Sequence, residues 1–258
     1  MKKANTPVVL CFSGLDPTGG AGIQADIEAI AKNGCHATSV ITANTVQDTH
    51  NVIRFETVNE NLLLEQARAI LEDMPVSAIK IGMIGSASLA VAIASILKQH
   101  PDIPVIFDPV LAAGGGSSLA QEDLIKSINE LIIPLTHILT PNTSEALRLA
   151  ADKDSASDAA ASLNRMGADY VLLTGTHANT PLVVHKLFHN TQQLSRFEYN
   201  RLDNEFHGSG CTLAASLAAH IARSKDIIDA CQMALDYTFE SLQNAQSLGG
   251  GQRIPRRI

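Results

Sequence analysis

Two hydrophobic patterns take turns along the chain. "PVVLCF", "TSVITAN", "AIKIGMI", "PVIFDPV", "HILTPN" and "YVLLTG" are short apolar runs rich in Val and Ile, each bounded by Gly, Pro, Asn or Asp. Such runs predict strands of a parallel sheet covered on both faces. Between them, residues 21–33, 59–73, 86–99, 119–133, 143–151 and 155–166 have helical spacing; in "NENLLLEQARAILEDM", Leu63, Ala67, Ile70 and Leu71 share one face. From 181 to 202 the pattern changes. "PLVVHKLFH" and "QLSRFEYNRL" flank the polar "NTQ" and predict an antiparallel hairpin, and "NVIRFETV" predicts a further edge strand. Helices over 210–223 and 226–247 close the chain. The alternation predicts an α/β fold: a three-layer α/β/α sandwich with a mostly parallel central sheet and an antiparallel edge hairpin. No repeat, low-complexity stretch or linker interrupts it, so one domain over 1–258 is expected.

Composition narrows the class. The 258 residues are 45% hydrophobic and 17% charged, enough for a substantial core. A net charge of −7 supplies no general basic footprint for nucleic acid. No stretch approaches the roughly 18 apolar residues of a membrane span. The apolar run after Lys2 and Lys3 is cut short at Ser13 and Gly14, too early for a secretory core. The four cysteines form no C-x-x-C pair, so neither a zinc knuckle nor a thioredoxin-type motif is present. These features predict a soluble, cytoplasmic protein whose thiols stay free, with neither nucleic acid nor membrane as partner. The tail "QRIPRRI" reads as a short solvated terminus.

In open parallel sheets, ligands sit beyond the carboxyl ends of the strands. The segments there are "SGLDPTGGAG", "NTVQDT", "GMIGS", "DPVLAAGGGS", "TPNTSE", "TGTH" and, after the hairpin, "HGSGC". In "HGSGCTLAASLAA", Gly208 and Gly210 permit a tight turn into a helix whose first amides can hold phosphate oxygens. The same residues also suit a plain helix cap with Ser209 as the capping side chain. Cys211 falls at the positive end of that helix, where a thiol's pKa is expected to drop below about 8.5, or it is simply packing. "SGLDPTGGAGIQAD" matches neither the P-loop nor the dinucleotide fingerprint, yet Gly19, Gly20 and Gly22 allow a ligand close to the backbone. Asp26, one turn into the next helix, points at the site or complements the dipole. Asp108 in "FDPV", with Asn142 and Glu145 three apart in "TPNTSEA", offers hard oxygen ligands for Mg²⁺; Asn142 and Glu145 also resemble a capping box. Thr174 and Thr176 in "TGTH" are phosphate donors or a turn, and Met83 is core or pocket wall. His185 and His189, about 13 Å apart along a strand, are expected to be exposed rather than metal ligands.

Taken in order, "SGLDPTGGAGIQAD", "SVITANTVQDT", "KIGMIG", "DPV", "TPNTSEA" and "HGSGCTLAASLAA" resemble the ribokinase-like superfamily. Within it they are most similar to the hydroxymethylpyrimidine and phosphomethylpyrimidine kinases of thiamine biosynthesis, from about Pro7 to about Leu248. The resemblance implies ATP- and Mg²⁺-dependent phosphorylation of 4-amino-5-hydroxymethyl-2-methylpyrimidine and then of its monophosphate, by a homodimer. A pyridoxal kinase of the same architecture is the alternative, and a non-catalytic pyrimidine-binding protein a further one. It also implies residue roles. Gly208, Ser209, Gly210 and Cys211 present amides to the transferring phosphoryl group, with Cys211 as base. Asp108, Asn142 and Glu145 organise Mg²⁺ and the triphosphate. Gly14, Asp26 and Gln47 meet the pyrimidine's polar edge, and Ala21, Met83 and Val110 pack on its faces. Three positions depart from the pattern: Thr174 stands for the usual lysine of a "KGGH"-like stretch, Thr45 for a common valine, and "GGGQRIPRRI" for a histidine-containing terminus.

Overall fold

Alternate residues of the first strand, β1 (Val8–Leu15), belong to different cores. Leu10 and Phe12 join one apolar cluster, Val9 and Cys11 another, and all four are fully buried. Successive strand side chains point to opposite faces, so a run apolar at every position needs cover on both. The computed structural model, which describes residues 6–112, 119–151, 153–175 and 180–258, provides that cover.

After β1 come α1 (Gly22–Lys32), β2 (His36–Gln47), β3 (Val52–Thr57), α2 (Glu60–Asp73), β4 (Val76–Ile81), α3 (Ala87–Gln99), β5 (Val105–Phe107) and α4 (Glu122–Ser127). Then follow β6 (Ile138–Leu139), α5 (Thr143–Leu149), α6 (Ala156–Arg165), β7 (Tyr170–Leu173), β8 (Leu182–His189), β9 (Gln192–Asn200), α7 (Ser209–Ala222) and α8 (Ile227–Gln243). The strands pair into one sheet in the order β3-β2-β1-β4-β5-β6-β7-β8-β9. Pairing is parallel from β2 through β7 and antiparallel for β3 on one edge and for the β8–β9 hairpin on the other. Helices α2 to α6 fill the first cluster; α1, α7 and α8 fill the second. This is the three-layer α/β/α arrangement that the hydrophobic pattern predicts.

Three expectations change. The helix expected over 119–133 stops at Ser127, continues as a π turn over Ile128–Ile132 and tightens to a 3₁₀ turn at Ile133–Leu135. Pro134 has no N–H to extend an α-helix. His185 is not exposed: it keeps 8% of its surface, its Nδ1 has no partner, and burial lowers its pKa to about 4. The tail is not solvated either. Arg253 N–H donates to Glu205, His207 N–H to Arg253, and Arg256 N–H to Ser241, at 2.9, 2.9 and 3.0 Å. Among the described residues, no helix is long and apolar enough to cross a membrane.

Candidate active site

The α-helices differ in how their first amides are satisfied. Asn59, Ser86, Asn142, Ser155 and Asp226 each cap the helix they precede with a side-chain oxygen. Three have no side-chain cap: α4 follows Gln121, outside the wall of a cavity of about 900 Å³ beyond the strand ends, while α1 and α7 follow Ala21 and Gly208, which line it. The first-turn amides of α1 and α7 therefore keep donors without an intrahelical partner, facing that cavity. Ser209 is the first helical residue of α7, not its cap. Gly208 takes the left-handed conformation, φ 70° and ψ 22°, that turns the chain into the helix. Gly210 is already helical; a Cβ there would make ordinary contact, 3.5 Å from both carboxyl oxygens of Asp108, so its glycine keeps the gap before Asp108 open rather than avoiding a clash.

The cavity wall gathers Gly14, Ala21, Gln47, Met83, Asp108, Val110, Asn142, Glu145, Thr174 and Gly208 to Cys211. Gln47 is ordered by its own amide, which donates to Thr45 Oγ1 at 2.8 Å, while Thr45 donates to Leu15 O at 2.8 Å. Thr45 thus has a structural task where valine is common. Met83 and Val110 pack with Ala43 and Leu119 into a small apolar wall. Thr174 lines the cavity, but its hydroxyl faces Pro141 O at 3.4 Å, so it presents no free donor. Thr176 lies outside the described residues.

Asp26 does not reach the cavity. It is fully buried, with Lys80 Nζ 2.8 Å from Oδ1 and Ser13 Oγ donating to Oδ2 at 2.5 Å. Its carboxylate is occupied by this pair rather than offered to a ring amine, as a buried charge requires. Lys80 went unrecognised in the sequence because it sits within an apolar strand run. Burial works against its charge, but Asp26, then Cys211 and Asp108, hold its pKa above the usual lysine value.

Electrostatics revise the thiol. Burial, with Asp108 and Asp26, pushes Cys211 up to about 12 against the pull of Lys80, so the helix start does not make it a thiolate. The Gly22 amide and the Asp108 carboxyl are its polar neighbours. Burial also raises Asp108 to about 6, and burial with Asp108 raises Glu145 to about 8. Asn142 and Glu145 form the reciprocal capping box: Glu145 N–H donates to Asn142 Oδ1 at 2.9 Å, and Asn142 N–H to Glu145 Oε2 at 2.8 Å. The Oδ2 of Asp108 is left without a partner. Two carboxylates that resist ionising together suit a hard cation that keeps water and phosphate ligands. The described residues hold no group of three or more metal-binding side chains, so protein ligands alone would not complete a shell.

Further side chains join the wall. His207 Nε2 lies 2.8 Å from Asp16 Oδ2; burial raises the Asp16 pKa, but His207 and the Thr18 amide and hydroxyl outweigh it and hold it low. Arg148, one turn after Glu145, lines the cavity and donates to Ala120 O at 2.8 Å. Val183, His185, Tyr199, Leu235 and Phe239 make an apolar arm from β8, β9 and α8.

A family model for phosphomethylpyrimidine kinase matches residues 16–255. The chain belongs to the phosphomethylpyrimidine kinase family. It is 34% identical to the hydroxymethylpyrimidine/phosphomethylpyrimidine kinase of Rhizobium meliloti, over 96% of this chain and 94% of that one. It is 37% identical to the thiamine biosynthesis bifunctional protein ThiED of Geobacter sulfurreducens, covering 94% of this chain but spanning only 50% of that protein. Among solved structures, the phosphomethylpyrimidine kinase of Clostridium difficile superposes with a TM-score of 0.80 at 29% identity, covering 92% of this chain and all of that one. The pyridoxal kinase of Bacillus subtilis in its ADP complex superposes at 0.88 with 22% identity, over 98% and 97% of the two chains, a likeness of fold.

Proposed function

We propose that the chain transfers the terminal phosphate of ATP to the hydroxymethyl group of 4-amino-5-hydroxymethyl-2-methylpyrimidine, and then phosphorylates the resulting monophosphate. One observation carries this reading. The turn from Gly208 to Cys211 abuts Asp108 in the wall of a cavity that Gln47, Met83 and Val110 also line. An amide nest, a carboxylate pair and a flat-ring wall share one space, which is what phosphorylating a small heteroaromatic alcohol needs. A homodimer in the cytoplasm belongs to the same reading.

Gln47 and the Gly14 backbone meet the ring's polar edge, while Met83, Val110 and Ala21 cover its faces. The Gly208–Cys211 amides receive the oxygens of the migrating phosphoryl group. Asp108, Glu145 and Asn142 would hold Mg²⁺, which when bound supplies positive charge to the triphosphate oxygens. The apolar arm of Val183, Tyr199 and Phe239 suits the nucleotide base. Transfer through a loose transition state leaves the alcohol protonated until its oxygen bonds phosphorus. That proton then passes to Cys211 Sγ as the thiol's own proton leaves to solvent, so no free thiolate has to exist beforehand.

Incubation of a substrate panel with ATP and Mg²⁺, followed by phosphorus NMR, tests the reading. The pyrimidine should give the monophosphate and then the diphosphate. Pyridoxal turned over far faster would reassign the substrate, and pyrimidine bound without ADP release would make this a binding protein.

A further inference from the structure

Arg257 is the largest fully buried side chain among the described residues, one position before a terminal isoleucine left 71% exposed. Hydrophobic burial alone would place these two residues the other way round. A guanidinium is costly to bury, so its contacts must compensate. Its Nε donates to Thr212 Oγ1 at 2.8 Å, Nη1 to Gly19 O at 3.3 Å and to Glu28 Oε2 at 3.2 Å, and Nη2 to Gly20 O. Thr212 in turn donates its hydroxyl to Gly208 O at 2.8 Å. One rigid fork therefore grips both glycine segments: the loop that carries Ala21 and Gly22 into α1, and the turn that opens α7. The two segments touch directly as well. A Cβ on Gly208 would collide with Gly20 O and with Ala21. The arginine itself lines no part of the cavity.

We propose that Arg257 is a positioning residue for phosphoryl transfer, setting the distance between the substrate-side loop at 19–22 and the phosphoryl-side turn at 208–211. Because in-line transfer is sensitive to displacements of about 1 Å, losing the fork should affect turnover more than binding. The inference rests on the kinase reading for its kinetic readout only.

The experiment compares the full chain with R257A, R257K and a control lacking only Ile258. It uses steady-state kinetics with the pyrimidine and ATP, and amide hydrogen exchange without ligands. R257A is expected to lower kcat roughly 10- to 100-fold while changing either KM less than about threefold. Exchange should quicken in both 14–22 and 207–212. R257K should fall between, since an ammonium cannot hold both carbonyls and Thr212 at once, and the control should match the full chain. Unchanged kcat per folded molecule, with faster exchange confined to 252–258 and α8, would show a mere tail staple and overturn the proposal. If R257A does not fold, R257K decides: wild-type kcat in that variant overturns it equally. A full chain with no pyrimidine turnover would sink the kinase reading, while the exchange data would still judge the strap separately.

Discussion

Cys211 shows how far a residue's surroundings can reverse its local tendency. A helix start favours the thiolate, but burial and the carboxylates of Asp108 and Asp26 outweigh it and hold the thiol neutral. The residue is therefore a neutral thiol until transfer begins. Cys211→Ala should lower kcat by about 10² to 10⁴ with the pyrimidine KM little changed; near-normal turnover would show the sulfur is packing only. Glu145 invites a pH test. Its folded pKa of about 8 lies above the unfolded value of about 4.3, so it favours folding at low pH, and that contribution is lost as pH rises through about 8. Glu145→Gln should remove on the order of 1 kcal/mol of the stability lost between pH 7 and 9, measured by denaturation without metal or nucleotide. The amide still accepts from Asn142 N–H, so the cap survives while activity falls. An unchanged pH slope would refute the assignment.

At the scale of elements, the entry to α7 matters most. Its left-handed Gly208 and its unobstructed Gly210 serve different purposes, and two substitutions separate them. Gly208→Ala puts a side chain where φ is positive and where Gly20 O already stands. The strain alone costs about 1–2 kcal/mol, so lower stability should accompany lost activity. Gly210→Val keeps a permitted backbone but projects into the gap before Asp108. It should stop phosphoryl transfer while calorimetry still finds pyrimidine binding. Equal behaviour of the two variants would refute this division. The β8–β9 hairpin carries another lesson. Strand alternation placed it at the sheet edge, but did not reveal that α8 covers one face. Tyr199 hydrogen-bonds Asp236 of α8 at 2.7 Å, and His185 packs edge-on to Tyr199 with ring centroids 5.9 Å apart.

Across the whole molecule, the sheet and the layer of α1, α7 and α8 enclose an ion pair between β4 and α1. Lys80 on β4 and Asp26 on α1 are both without solvent exposure. Removing one partner strands the other's charge, so Lys80→Met should destabilise by about 3–5 kcal/mol in urea titrations. The double variant Lys80→Met, Asp26→Leu should recover much of that loss. Simple addition of the two single effects would show that the pair is not coupled. The tail completes the assembly from the opposite direction in sequence, returning to the start of α1 and α7. Charge composition gave no hint of this, because three arginines near a terminus look alike until one is enclosed.

The sequence by itself determined the layers, the strand and helix order, the edge hairpin, and which segments lie beyond the strand ends. Those features follow from periods of two and 3.6 residues and from glycine placement, all written within a few neighbouring positions. It also marked the strand-end segments that enter the cavity's wall, though not the arm from β8, β9 and α8. The tertiary structure alone decided which charges meet, that Asp26 faces Lys80 rather than a ligand, that Cys211 stays protonated, and that Arg257 is buried. Ion pairing and desolvation depend on groups tens or hundreds of positions apart, and on how much water their packing excludes, so no local pattern can record them.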